Sequence, residues 1–368
     1  MIYGQQFLRE AATSRNTSLD VLYSVAWSEY NNKKQLMESC NDYTQRSLLE
    51  AQVDVLREVS LKDIGNKIKE VFQKIINWIK SVIDKVVGLF TKEKKAKALS
   101  AKEKIKKNGI SEEKKSSAAG KPAFYFQLDN YCDISKFGNF ASDIDQTGTI
   151  ALDYFGKMTD EDIKKLDNDE AKSQEELIAF FNKLPESVRT LAMTVMAAED
   201  SNLMNMDDKK AEELICSKVL PINSELMKKA EVIGNTSTKE TNLTNFASGI
   251  ASLVFKAVHD DIEQRSKKES VGDLVAAIDT IDNDISIMDK CTASLNSIKG
   301  KVEKLGATFT KLASSIEDVS PITMKEFNTI IKAVQMGVNL DLKIVALYTR
   351  LSNEKMNAII SLAGDSTN

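Results

Sequence analysis

The chain has 368 residues, of which 42% are hydrophobic and 28% charged, so it can bury one or two ordinary cores and is not disordered as a whole. Only 4 prolines and 15 glycines interrupt it, which permits long helices. Since no apolar run reaches the ~18 residues of a spanning helix, and the first residues lack the basic and apolar parts of a secretory signal, we expect neither kind of segment.

Residues 1–91 are predicted to form an N-terminal helical region that ends in a basic amphipathic helix. Within Leu61–Phe90 the apolar residues recur three and four positions apart, and lysines occupy the opposite face. Ser60 and Asp63 provide a capping box at its start. Such a helix buries its stripe against its own core, another subunit or lipid. The interaction surface predicted from the stripe comprises Ile68, Phe72, Ile75, Trp78, Ile79, Ile83 and Phe90.

Residues 92–122 are predicted to be a lysine-rich tether, because they contain almost no large apolar residue. Between Leu61 and Lys121 there are 17 lysines against 7 acidic residues, although the whole chain has a net charge of −4. This segment suits an acidic surface of lipid, nucleic acid or protein, including the acidic part of the chain itself. Lysines without interleaved arginines or aromatic residues favour only nonspecific contact with nucleic acid.

Residues 123–368 are predicted to form a C-terminal helical domain. Aromatic and turn residues gather in 123–158, which indicates short strands or a packed irregular region. A heptad pattern over Val271–Ile316 predicts one long helix, with a phase slip and a bend near Gly300. The short connection to Ile322–Leu362 favours an antiparallel hairpin over 271–363 within one chain. The predicted fold is therefore mostly α, an elongated helical bundle with a long antiparallel hairpin and a small irregular or short-strand region.

The stretch from Asp143 to Ile150 is the only one that imitates a chemical motif. One interpretation is an aspartyl-phosphate motif of the haloacid-dehalogenase kind, with Asp143 as nucleophile and Asp145 as acid and base. A second is a partial calcium loop resembling an EF-hand, with Asp143, Asp145 and Thr147 as metal ligands, although Tyr154 stands where a bidentate acid is required. The third, which the pattern favours, is a local turn.

The remaining residue types give no support to an enzyme. The four cysteines are widely spaced, so they are predicted to be reduced and mostly buried thiols. His259 is the single histidine, which excludes histidine triads and multi-histidine metal sites. No phosphate-binding or dinucleotide-binding motif is found. We therefore predict a non-enzymatic protein without a cofactor.

The opening residues, Tyr3 to Ala12, resemble the starts of head or internal virion proteins of large tailed bacteriophages. Such proteins are often cleaved after an aliphatic-x-Glu triplet, and Leu8-Arg9-Glu10 and Leu48-Leu49-Glu50 fit that pattern. The resemblance covers about the first quarter of the chain. It implies a structural protein of a virion, located in the virion or the host cytoplasm, that binds itself or a larger shell. The alternative function is a peripheral membrane-binding protein that acts on anionic lipid through residues 61–90.

Overall fold

A computed structural model of the chain describes residues 43–118, 120–159, 170–199, 208–223, 226, 243–268, 271–315 and 321–364. These residues form α-helices almost throughout, which confirms the predicted mostly α class. The helices are α1 (Tyr43–Leu89), α2 (Lys92–Asn108), α3 (Glu112–Ala118), α4 (Pro122–Tyr125), α5 (Ile134–Phe155), α6 (Glu170–Lys183), α7 (Glu186–Glu199), α8 (Asp208–Lys218), α9 (Leu243–Lys268), α10 (Val271–Asp279), α11 (Ile281–Ser315) and α12 (Pro321–Leu362).

One sequence-based expectation about local structure is wrong. Residues 92–122 are not a tether, because α2 and α3 occupy most of them and bury Ala98, Ala101 and Ile105. Of the short strands or irregular region expected in 123–158, no strands are found among the described residues, where the only β interaction is an isolated antiparallel bridge between Cys132 and Ile222. The irregular region is restricted to residues 126–133, between α4 and α5, and it includes a 3-10 turn at Leu128–Asn130.

The chain divides into two compact units. Unit 1 comprises Met1–Ile76, Asp143–Met193 and Gly300–Val334, and unit 2 comprises Asn77–Ser142, Thr194–Lys299 and Gln335–Asn368. Each unit is therefore assembled from three separate stretches, whereas the sequence analysis expected consecutive regions at 1–91, 92–122 and 123–368. Residues 1–42, which make up nearly half of the predicted N-terminal region, lie outside the described residues.

The core of unit 1 is a run of aromatic side chains supplied by α1, α5, α6, α11 and α12. Phe309 stacks on Phe72 with ring centroids 6.2 Å apart and meets Phe327 edge-on at 5.0 Å. Phe327 also meets Phe155 at 4.4 Å, and Phe155 meets Phe180 at 5.3 Å. Such edge-to-face and offset contacts add to the apolar area that these rings bury.

Helix α11 continues without interruption through Gly300, near which a bend was expected, and through Gly306. Gly306 instead allows a close approach of α1, because a Cβ atom built there would lie 2.7 Å from Cγ of Phe72. Nothing lies within 4 Å of the corresponding point at Gly300. The chain therefore uses Gly306 for packing between helices, which the heptad pattern could not show.

The core of unit 2 contains antiparallel parts of α11 and α12. Lys355 of α12 and Asp284 of α11 form an ion pair at 2.7 Å, and both side chains are fully buried. Lys355 Nζ also donates to the carbonyl oxygen of Phe126 at 2.6 Å, and Asp284 accepts from the Leu128 amide at 2.7 Å. These contacts fix the irregular segment against both helices.

The interruption of the heptad helix lies at Thr280, between α10 and α11. The Thr280 hydroxyl donates to the carbonyl oxygen of Ala277 at 2.9 Å and accepts a hydrogen bond from Lys355. The position of the break is thus associated with the buried lysine and not with the glycines near the phase slip. The heptad positions themselves are correct: most are buried, including Leu274, Ile278, Ile281, Ile285, Met288, Leu295, Ile298, Val302, Leu305, Phe309 and Leu312.

Candidate interaction surface

The apolar stripe of α1 is largely buried within the chain, so it is not available as a whole to a partner. Two residues of the predicted interaction surface differ, since Trp78 is 41% exposed and Ile83 is only half-buried. An amphipathic helix buries most of its apolar face against the apolar surface of its own fold. This explains why only part of the predicted interaction surface remains accessible. The residues removed from the predicted surface are Ile68, Phe72, Ile75, Ile79 and Phe90.

An accessible strip of three apolar residues and one lysine remains on α1 within unit 2, which we call the Trp78 edge: Trp78, Val82, Lys85 and Leu89. Its members are spaced four, three and four residues apart, so they follow one side of the helix. Trp78 and Lys85 are exposed, and Val82 and Leu89 are half-buried. Exposed tryptophan next to further apolar area is typical of binding surfaces, since Trp is enriched among residues that dominate binding energy.

Helix α2 carries the most ordered charge pattern in unit 2. Its lysines pair with aspartates of α10 and α11 in reverse chain order, so the helices are antiparallel. Lys102 and Asp282 are 2.6 Å apart, and Lys106 and Asp279 are 2.9 Å apart. The hydrogen bond that Lys106 donates to the Asp279 carboxylate raises the pKa of Lys106. We call this set the lysine zipper: Lys95, Lys102 and Lys106 against Asp289, Asp282 and Asp279.

The three residues considered as metal ligands lie in the continuous helix α5, so neither the favoured local turn nor the alternative calcium loop is present. Asp145 accepts from Lys301 Nζ at 3.0 Å and from Lys304 Nζ at 2.7 Å, and these hydrogen bonds lower its pKa. Asp143 accepts from the Ser187 hydroxyl at 2.6 Å, while the Thr147 hydroxyl donates to the Asp143 carbonyl at 2.7 Å. Across the described part of the chain, no three His, Cys, Asp or Glu side chains converge as metal ligands.

The cysteines and the histidine form no reactive arrangement in the described residues. Cys132, Cys216 and Cys291 are free and buried, and Cys40 lies outside the described residues. The sulfur atoms of Cys132 and Cys291 are 3.9 Å apart, and the hydrogen bond between them, followed by burial, raises the pKa of Cys132. A thiol held in its protonated form is a poor nucleophile, so this pair is a packing contact.

Two buried carboxyl groups were missed by the sequence analysis. Both oxygens of Asp341 and Oε2 of Glu326 have no hydrogen-bond partner among the described residues, although both side chains are fully buried. Burial raises the pKa of Asp341 well above its usual range. Burial raises the pKa of Glu326 to about 8, against a weak hydrogen bond from Tyr154 at 3.4 Å. Asp341 could have been found, because it lies three residues after Val338 and four before Val345 on an apolar face.

Glu326 is expected to make the stability of the protein depend on pH. Its pKa in the folded chain lies above the unfolded value of 4.5, so its contribution to stability is full below about 4.5 and is lost as the pH rises to about 8. Relative to Glu326→Gln, the wild type should therefore lose on the order of 1 kcal/mol per pH unit in this window. Urea unfolding of both proteins at several pH values measures the difference, and parallel curves would contradict this prediction.

Comparisons with known proteins leave the family open. The sequence matches no protein-family model, no curated protein and no solved structure. Within the described residues, no helix combines the length and apolarity that crossing a bilayer requires. The two candidate surfaces, the Trp78 edge and the lysine zipper, are therefore identified from the structure alone.

Proposed function

We propose that this chain is a non-enzymatic structural protein that assembles with copies of itself or with a larger protein shell. The observation that carries the proposal is the Trp78 edge, which leaves Trp78 exposed on a helix whose other large apolar residues between positions 65 and 89 are mostly buried. A partner that covered this edge would bury the indole ring and the adjoining Val82 and Leu89. Burial of aromatic anchors is the usual source of affinity in protein interfaces.

The narrower proposal is that the assembly is a bacteriophage virion, located in the particle or in the host cytoplasm before assembly. It is supported by the resemblance of Tyr3–Ala12 to the starts of phage head and internal proteins. Mass spectrometry of purified particles tests it, since a virion protein is present in stoichiometric amounts. A peptide map of that material also tests cleavage after Glu10 and Glu50.

The Trp78→Ser variant is expected to weaken self-association or binding to the shell by about thirtyfold, corresponding to about 2 kcal/mol for an aromatic anchor. Its melting temperature should change little, because exposed side chains contribute little to folding. Sedimentation velocity over a range of concentrations measures association. Val87→Ser is the matched control, since Val87 is 56% exposed on another side of the same helix.

The proposal would be contradicted if Trp78→Ser and Val87→Ser associated equally well. Ile79→Asp provides a second comparison, because Ile79 follows Trp78 directly and is fully buried. A charge at that position should destabilise the fold by several kcal/mol. Loss of association in Trp78→Ser at unchanged stability therefore separates the binding role of the edge from the packing role of its neighbour.

Peripheral binding to anionic membranes is the second candidate function. It is favoured by the exposed Lys80 and Lys85 around Trp78, since an interfacial tryptophan flanked by lysines suits an anionic headgroup layer. Co-sedimentation with phosphatidylserine vesicles tests it. A Trp27→Phe protein retains Trp78 as its only indole, so a blue shift of emission on adding vesicles would support this candidate and no shift would exclude it.

A further inference from the structure

The contact between α2 and the helices α10 and α11 is stabilised mainly by charge. Helix α2 buries Ala98, Ala101, Lys102 and Ile105, and it has eight lysines against two glutamates. Lys94 also donates to the Asn353 side chain of α12 at 2.6 Å. The aspartates of the lysine zipper are well exposed, with Asp289 at 59% and Asp282 at 58%. Ion pairs open to solvent on one side contribute about 0–1 kcal/mol each and weaken with added salt. The part of the docking that these ion pairs supply is therefore sensitive to salt.

Both ends of α2 are marked by single residues that interrupt the helical path. Thr91 is extended, separates α1 from α2, and caps α2 by accepting from the Lys94 amide at 3.2 Å. Gly109 ends the helix with φ of 70°, and nothing lies within 4 Å of the position of its missing Cβ atom. Both caps are formed by residues at the ends of α2 itself. The helix therefore keeps them when its lysines leave the aspartates and bind phosphates.

We propose that α2 is a masked nucleic-acid-binding helix, in which the three aspartates of the lysine zipper occupy lysines that otherwise bind backbone phosphates. Lysine is a compact point charge suited to phosphate. An anionic membrane is the poorer partner, since interfacial helices insert an apolar face and the apolar residues of α2 are few and mostly small. This inference goes beyond the assembly role and does not depend on the Trp78 edge.

The spacing of the lysines agrees with a nucleic-acid backbone. Lys95, Lys102 and Lys106 are seven and four residues apart, which places them roughly 10 Å and 6 Å apart along the helix axis. A duplex carries a phosphate about every 3.4 Å along each strand, so each lysine finds an anion without any particular base sequence. The lysine zipper includes neither arginine, which could form paired hydrogen bonds, nor an aromatic ring on which a base could stack. Binding to nucleic acid is therefore expected to be nonspecific and to depend strongly on salt.

The test is a full-length variant with Asp279→Asn, Asp282→Asn and Asp289→Asn, titrated against a short fluorescein-labelled DNA duplex at increasing salt. Unmasking three lysines should tighten binding by about tenfold or more at low salt. Each phosphate contact contributes about 0.9 to the slope of log K against log salt concentration. Three additional contacts should therefore steepen this slope by about 3. Adding Lys95→Gln, Lys102→Gln and Lys106→Gln to this variant should remove the gain.

The matched control neutralises three acids that each pair with a cation elsewhere on the surface, in a variant with Asp153→Asn, Glu263→Gln and Glu354→Gln. It changes the net charge equally and frees Lys157, Lys267 and Arg350, but it leaves α2 docked. Equal DNA affinity of the two triple variants would overturn the proposal. Binding of the first variant to phosphatidylserine vesicles and not to DNA would also overturn it. Circular dichroism and thermal melting confirm that each variant is folded.

Discussion

Replacing Lys355 with methionine is expected to lower the free energy of unfolding by about 3–5 kcal/mol, as for other buried ion pairs that lose one partner. The substitution removes the Lys355 donor from Oδ2 of Asp284 and from the Phe126 carbonyl in a site closed to water, while Oδ1 of Asp284 keeps its bond from the Leu128 amide. Desolvation already raises the pKa of Asp284 and lowers that of Lys355, so each charge is maintained largely by the other. Urea unfolding of the variant measures the loss.

Two further variants make this result interpretable. Lys290→Met replaces an exposed lysine of α11 and should change stability by less than about 0.5 kcal/mol. The double variant Asp284→Asn with Lys355→Met removes both charges, and it should be more stable than Lys355→Met alone because no buried charge is left unpaired. If Lys355→Met were as stable as Lys290→Met, the ion pair would not stabilise unit 2.

The variants Gly306→Ala and Gly300→Ala are expected to change stability in opposite directions. Alanine is favoured over glycine within a helix by about 1 kcal/mol, and Gly300 has open space for a methyl group. At Gly306 the methyl group would lie 2.7 Å from Cγ and 2.9 Å from Cβ of Phe72, so α1 and α11 must separate. Overpacking of this kind costs about 1–3 kcal/mol, which exceeds the helical gain.

Thermal or urea unfolding of the two glycine variants gives the comparison directly. A stabilised Gly300→Ala with a destabilised Gly306→Ala would confirm that α1 approaches α11 at this point. If both variants were stabilised, Phe72 would not lie over Gly306, and the packing of unit 1 described above would be wrong. The double variant Gly306→Ala with Phe72→Leu should recover part of the loss, since it removes the ring that the methyl group meets.

Periodicity in the sequence predicted the helices and their buried faces well. The steps of three and four in α1 and α11 identified Ile68, Ile79, Leu295 and Phe309 as buried. Residues at this spacing lie on one face of a helix, and an apolar face is the one that packs against the core. It could not locate the break at Thr280, which is associated with a hydrogen bond from a lysine 75 residues away. It also could not show that residues 92–108 are docked, because the pairs that dock them come from another part of the chain.

The candidate surfaces were only partly predictable for the same reason. Trp78, which was predicted to belong to an interaction surface, is exposed, but most of its neighbours on the stripe pack inside the chain. The excess of lysine after Leu61 indicated an acidic partner, and the chain's own acidic residues were among the alternatives. The sequence did not show the register of the lysine zipper, since that depends on how two separate helices align. Asp284 and Lys355 could have been noticed as charges at apolar positions, since Asp284 follows Ile281 by three residues and Lys355 follows Leu351 by four.

The assembly of unit 1 from three separate stretches has a consequence for the newly synthesised chain. Phe72 packs against Phe309, which the ribosome adds roughly 240 residues later, a delay of roughly 10–50 s at bacterial and eukaryotic elongation rates. Throughout that interval Phe72 lacks the Phe309 ring on which it stacks in the folded chain. The aromatic core of unit 1 therefore stays incomplete until α11 emerges, and an incomplete apolar core of this kind is prone to aggregate during synthesis.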